Sequence, residues 1–155
     1  MLGAIAAPAG SYTLRVAAID ASGRAGVAED AVNAELVPVG PLQLGGLMLG
    51  VSRPGGTRLQ LEFESEPVAI ASFDIYGGAA GQALGAALEV SRAGGGQPLV
   101  SVPLTLSRPD DSRVTATAAI PVGALPAGDF VARGIVRLQD GTIGSVVRTL
   151  RKVAR

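Results

Sequence analysis

One eight-residue phrase occurs twice in this chain, and it constrains the fold more than any other feature. Pro8-Ala9-Gly10-Ser11-Tyr12-Thr13-Leu14-Arg15 returns as Pro126-Ala127-Gly128-Asp129-Phe130-Val131-Ala132-Arg133. Each copy runs on through an apolar stretch to a polar turn, Asp20-Ala21-Ser22-Gly23 in the first and Gln139-Asp140-Gly141 in the second. Proline fixes φ on entry to such a corner, glycine supplies a backbone geometry that a β-carbon disfavours, and the aromatic plugs the base of a core. Pro8, Gly10 and Tyr12, and again Pro126, Gly128 and Phe130, are therefore read as structural corners. In a tyrosine corner the hydroxyl donates back to upstream backbone. Tyr12 keeps that donor, and Phe130 lacks it.

Between the two copies the pattern has a period of two, the signature of strands with one wet and one dry face. Tyr12, Leu14, Val16 and Ala18 share a face, as do Ala69, Ala71, Phe73 and Ile75, and Val114, Ala116, Ala118 and Ile120. Leu59, Leu61 and Phe63 alternate with Gln60, Glu62 and Glu64, and Val100, Val102, Leu104 and Leu106 alternate with polar residues and Pro103, which marks an edge strand. Glycine-containing turns punctuate these runs, 22 Gly and 10 Pro in 155 residues, and no stretch sustains a helical period. Gly45-Gly46 interrupts the run from Leu42 to Val51 as a bulge would. With 48% apolar residues but only 3% aromatic, the core must be aliphatic.

These signs predict an all-β fold: an antiparallel β-sandwich of immunoglobulin-like or fibronectin-III-like type, about seven strands, preceded by an extra β-hairpin. The expected divisions are a hairpin over 1–36, a linker over 37–41 (two prolines within four residues) and a complete sandwich over 42–153. The first corner stands almost at Met1, so residues 1–36 read as the closing hairpin of a preceding sandwich whose other strands lie outside this sequence. A lone two-stranded hairpin is marginal in water, so this one is expected to dock or to be loosely held.

Three stretches carry a family resemblance. They are Tyr12-Thr13-Leu14-Arg15-Val16-Ala17-Ala18-Ile19-Asp20 with its Gly23-Arg24 turn, Val39-Gly40-Pro41-Leu42 leading to Leu47-Met48-Leu49-Gly50, and Leu125-Pro126-Ala127-Gly128-Asp129-Phe130-Val131-Ala132-Arg133. Together they resemble the C-terminal region of bacterial, especially acidobacterial, secreted proteins with a von Willebrand factor A domain upstream. The resemblance implies an immunoglobulin-like end followed by one more sandwich, in a secreted or periplasmic parent. The metal site of an A domain is not implied here. It needs Asp-x-Ser-x-Ser, and Asp20-Ala21-Ser22-Gly23-Arg24 ends with arginine where the second serine is required.

The chemistry is sparse. There is no histidine and no cysteine, and Lys152 is the single lysine, which removes the usual nucleophile–base pairs and thiolate or imidazole metal sites. Glu62, Glu64 and Glu66 would project from one strand face about 6.5–7 Å apart, too far to share an ion on a straight strand. Asp110-Asp111 reads as a turn. Net charge is zero, which gives no electrostatic footprint for nucleic acid. No apolar run approaches the roughly 18 residues of a membrane helix. Met1 to Gly10 lacks the basic start and apolar length of a signal peptide.

The expectation is accordingly a non-enzymatic structural or interaction module without catalytic, metal or cofactor sites. Its partner would be another protein or the remainder of a parent chain. The alternative is a carbohydrate- or protein-binding module using the 77–85 and 94–98 loops, with Tyr76 as the aromatic platform.

Overall fold

The computed structural model describes residues 7–77 and 85–154 and is nearly all β, 64% strand and 2% helix. The chain divides into two compact units, Met1–Leu36 and Val37–Arg155.

In the first unit, β1 (Ser11–Ile19) and β2 (Ala25–Asn33) form an antiparallel hairpin in which Ser11 faces Asn33 and Ile19 faces Ala25. The tyrosine corner is present: the Tyr12 hydroxyl donates to the Pro8 carbonyl at 2.7 Å. Arg15 pairs with Glu29 directly across the strands.

The second unit holds β3 (Val37–Val39), β4 (Leu42–Leu44), β5 (Met48–Arg53), β6 (Gly56–Leu59), β7 (Glu62–Phe63), β8 (Ala69–Tyr76), β9 (Gly85–Arg92), β10 (Val100–Pro103), β11 (Thr105–Asp110), β12 (Arg113–Ile120), β13 (Gly128–Arg137) and β14 (Ile143–Lys152). One sheet runs β11-β12-β8-β4-β3, with β5 also paired to β8 and β6 to β5. The other runs β10-β9-β13-β14-β7. All pairings are antiparallel except β7 with β14. This is the strand order of an immunoglobulin sandwich: β4/β5, β8, β12 and β11 take the A–B–E–D sheet, and β9, β13 and β14 take C–F–G. The chain that reads as one strand from Leu42 to Val51 is β4 and β5, both on β8. Three residues, Gly45 to Leu47, oppose two, Phe73 and Asp74, which is a one-residue bulge at the two glycines.

Period-two alternation delivers the core. Ala69, Ala71, Phe73 and Ile75 of β8 and Val114, Ala116, Ala118 and Ile120 of β12 are buried against Leu88 and Val90 of β9 and Phe130, Ala132 and Val136 of β13. Phe63, Phe73 and Phe130, every phenylalanine in the chain, are fully buried. Phe73 reaches across to β13 at Gly134, where a β-carbon would lie 2.5 Å from the ring edge. Phe130 packs without a hydroxyl tie, and the Arg92 guanidinium sits 5.8 Å from its ring centroid, within reach of a cation–π contact.

Several sequence expectations are corrected. Residues 37–41 are not a linker: Val37–Val39 is β3, paired with β4, and Val39 is buried, so the second unit begins at Val37. The predicted strand around Leu59 to Glu64 breaks in two because the chain leaves one sheet at β6 and joins the other at β7; Leu59 and Leu61 stay exposed and only Phe63 is buried. The run from Val100 to Ser107 likewise splits at buried Leu104, with β10 on one sheet and β11 on the other. These two switches, the split of β4 from β5 at the bulge and the additional β3 bring the unit to twelve strands among the described residues, where about seven were expected.

Filling the Gly134 notch should destabilise the sandwich. Gly134→Ala is expected to cost about 1–3 kcal/mol in urea unfolding, as overpacking of a full core does. Adding Phe73→Leu should recover part of that loss in a double-mutant cycle, and purely additive effects would argue against the contact.

Candidate functional site

Several carboxylates of the chain are bound by the chain itself. In the β1–β2 turn, Asp20 accepts from the Ser22 amide (2.9 Å), the Ser22 hydroxyl (2.8 Å), the Arg24 amide (3.0 Å) and Arg24 Nε (2.7 Å). These donors, the Ser22 hydroxyl foremost, hold its carboxyl at about 2, below the ordinary 3.8. A metal-binding loop needs such oxygens free, whereas here they shape a hairpin turn.

Glu66 behaves in the same way. It accepts from Gln60 Nε2 (3.0 Å) and from the Glu64 amide (2.9 Å), and the Gln60 bond leads in lowering its carboxyl to about 2. The expected row of Glu62, Glu64 and Glu66 on one strand face does not form: β7 ends at Phe63 and Glu66 folds back on the turn. Asp129 is paired across the hairpin with Arg151 Nε at 2.7 Å, which holds the carboxyl below its usual range. Asp140 accepts from the Thr142 amide at 2.8 Å, with the same effect. Among the described residues no cluster of three acidic side chains is placed to hold a metal ion, and no helix is long and apolar enough to cross a membrane.

A half-buried polar group lies on the outer face of β8 and β12. Asp74 accepts from the Thr115 hydroxyl at 2.6 Å and from the Tyr76 hydroxyl at 3.3 Å, and Arg113 Nη1 lies 3.6 Å from it. The register explains the grouping, since Asp74 opposes Thr115 and Tyr76 opposes Arg113. Tyr76, the residue singled out as an aromatic platform, is half-buried at the end of β8. Its phenol is pushed up, first by burial and then by the Asp74 charge. The sequence reading missed Asp74, Arg113 and Thr115. The available signal was polar alternation at Ser72, Asp74 and Tyr76 against Arg113, Thr115 and Thr117, which becomes a cluster only once the β8–β12 register is known.

The described ends of the two loops of the binding alternative lie at opposite ends of β9. Gly85 opens β9 and Arg92 ends it, eight extended residues that span roughly 25 Å at about 3.3 Å per residue. Residues 78–84 of the first loop lie outside the described residues. The 94–98 segment is exposed throughout and carries left-handed glycines at Gly95 and Gly96. An open groove of about 290 Å³ runs between β5, the β6–β7 crossing and β14, lined by Leu47, Met48, Leu49, Leu59, Leu61 and Arg148. It presents aliphatic side chains, the Gln60 carboxamide and one guanidinium, with no acid–base pair.

No family model matches the chain, and no curated protein matches it.

Two titrations check these assignments. In a Tyr12→Phe background Tyr76 is the one phenol left, and Asp74→Asn should lower its midpoint, read by ultraviolet absorbance; an unchanged midpoint would discount the Asp74 contact. Asp20 has a depressed folded value, so its contribution to the turn is full above 3.8 and lost as pH falls through about 2. The Arg24 amide resonance should follow that lower midpoint, and titration at 3.8 would show that the turn bonds do not form.

Proposed function

We propose that this chain is a non-catalytic β-sandwich module, a structural and interaction element of a larger exported bacterial protein of the kind its sequence resembles. The observation that carries the reading is the recurrence of one corner-and-hairpin unit in one register. Asp129 faces Arg151 as Ser11 faces Asn33, and Arg137 faces Ile143 as Ile19 faces Ala25. The turns close alike: Asp20 N donates to Arg24 O at 3.0 Å and Leu138 N to Thr142 O at 2.9 Å, with left-handed Gly23 (φ 81°) and Gly141 (φ 88°) at the same place. Serial repetition of one sandwich element suits a protein that builds length and spacing. The use of carboxylates as turn and cross-strand ties supports the same reading.

The test is direct. The chain assayed with hydrolase substrate panels and on glycan arrays should show neither turnover nor binding that depends on Tyr76. Turnover would overturn the module reading, and array binding abolished in Tyr76→Ala would replace it with the carbohydrate alternative.

A further inference from the structure

The identical register lets each residue of the first hairpin be assigned the role of its twin. Tyr12, Leu14, Val16 and Ala18 stand where Phe130, Ala132, Gly134 and Val136 stand, and Ala28 and Val32 stand where Val146 and Leu150 stand. In the second unit Phe130, Ala132 and Val136, with Val146 and Leu150, are buried under the β8–β12 sheet. In the first hairpin Tyr12 is 39%, Leu14 40% and Val16 55% exposed. The outer edge of β13 pairs with β9 from Phe130↔Arg92 to Arg137↔Gly85, whereas β1 pairs with β2 alone among the described residues. The hairpin is thus an F–G pair with a dry face and a strand edge that its twin keeps covered.

From this comparison we propose that the first hairpin is an interaction surface for the missing part of a sandwich: an antiparallel A–B–E–D-type sheet laid on Tyr12, Leu14, Val16 and Val32, with a C-type strand paired along β1. The proposal rests on the module reading above and adds what the partner must look like. Two differences between the twins specify it. Gly134 is the notch that receives Phe73, and its counterpart is Val16, whose side chain occupies that space. The partner sheet therefore carries a small residue where β8 carries Phe73. Arg148, the rim cation of the groove beside Met48, has Asp30 as its counterpart. The partner therefore presents a cationic side chain at the place of Met48, opposite the single charge on the hairpin's dry face.

A second copy of the hairpin fits less well. Two stacked hairpins would enclose two Asp30 carboxylates at an apolar contact, with no cation on either dry face, and would leave both β1 edges unpaired.

The experiment adds a donor to the intact chain. Residues 37–125 are duplicated ahead of Pro8, once as they stand and once with Phe73→Ala and Met48→Lys in the added copy. Amide hydrogen exchange of β1 and β2 is read beside that of β13, whose protection reports that the original sandwich remains folded. The unmodified chain should exchange fast at Thr13, Arg15 and Ala17, whose amides face the outer edge of β1. The altered donor should slow those amides by about 100-fold or more, as formation of a cooperative unit does. The donor that keeps Phe73 should protect them less, and Val16→Gly in the hairpin should reverse that order. Three results would overturn the proposal: β1 already as protected as β13 in the unmodified chain, no protection from either donor, or concentration-dependent protection of the unmodified chain, which would make a second copy the occupant. Failure of the module reading registers separately, as turnover or Tyr76-dependent glycan binding by the unmodified chain.

Discussion

Packing of Phe73 into the notch at Gly134 is the contact around which the sandwich is arranged. The core has three phenylalanines and is otherwise aliphatic, with alanine at Ala69, Ala71, Ala116, Ala118 and Ala132. Small side chains let sheets approach closely, and a ring then needs a gap in the facing sheet. Gly134 provides that gap at the centre of β13, a strand paired on both edges by β9 and β14. Full burial of one such ring is worth about 1.5–3 kcal/mol. It also fixes which residues of the two sheets face each other, because a one-residue slip would turn the ring outward.

Polar groups serve the same architecture from outside. Asp20, Glu66 and Asp140 each close a turn on neighbouring amides, and Asp129 ties β13 to β14 through Arg151. Among the described residues no polar or charged side chain is fully buried, so the core avoids the penalty of desolvating an ion. Asp74 is half-buried, and its neighbours Thr115, Tyr76 and Arg113 surround it with donors.

The paired corners show one backbone motif held in two ways. Tyr12 is partly exposed and its hydroxyl ties the corner to Pro8, while Phe130 is fully buried and needs no such bond. Local sequence sets the hairpin in both, through the same turn geometry and the same ladder. What differs is whether the dry face has a sheet over it.

Corners, turn glycines and strand faces were legible in the sequence because each is a local consequence of residue type: Gly23 and Gly141 adopt the left-handed geometry their turns require, and alternate residues of β8 and β12 point inward. The Gly45-Gly46 bulge was legible for the same reason. Strand order, the splitting at Leu104 and the crossing after Leu59 were not, because alternation is silent about which sheet a strand joins. The 37–39 strand was hidden by Pro38, whose fixed φ reads as a stiff linker yet fits an edge strand. The Asp74 cluster was hidden because its members lie 41 residues apart and meet only through the β8–β12 register. The sequence by itself determined the all-β class, the duplicated corner and the scarcity of reactive groups, all matters of local chemistry. Tertiary structure alone decided which alternating faces are buried, since burial depends on partners distant along the chain: Phe130, Ala132 and Val136 are buried, while their counterparts Tyr12, Leu14 and Ala18 are exposed.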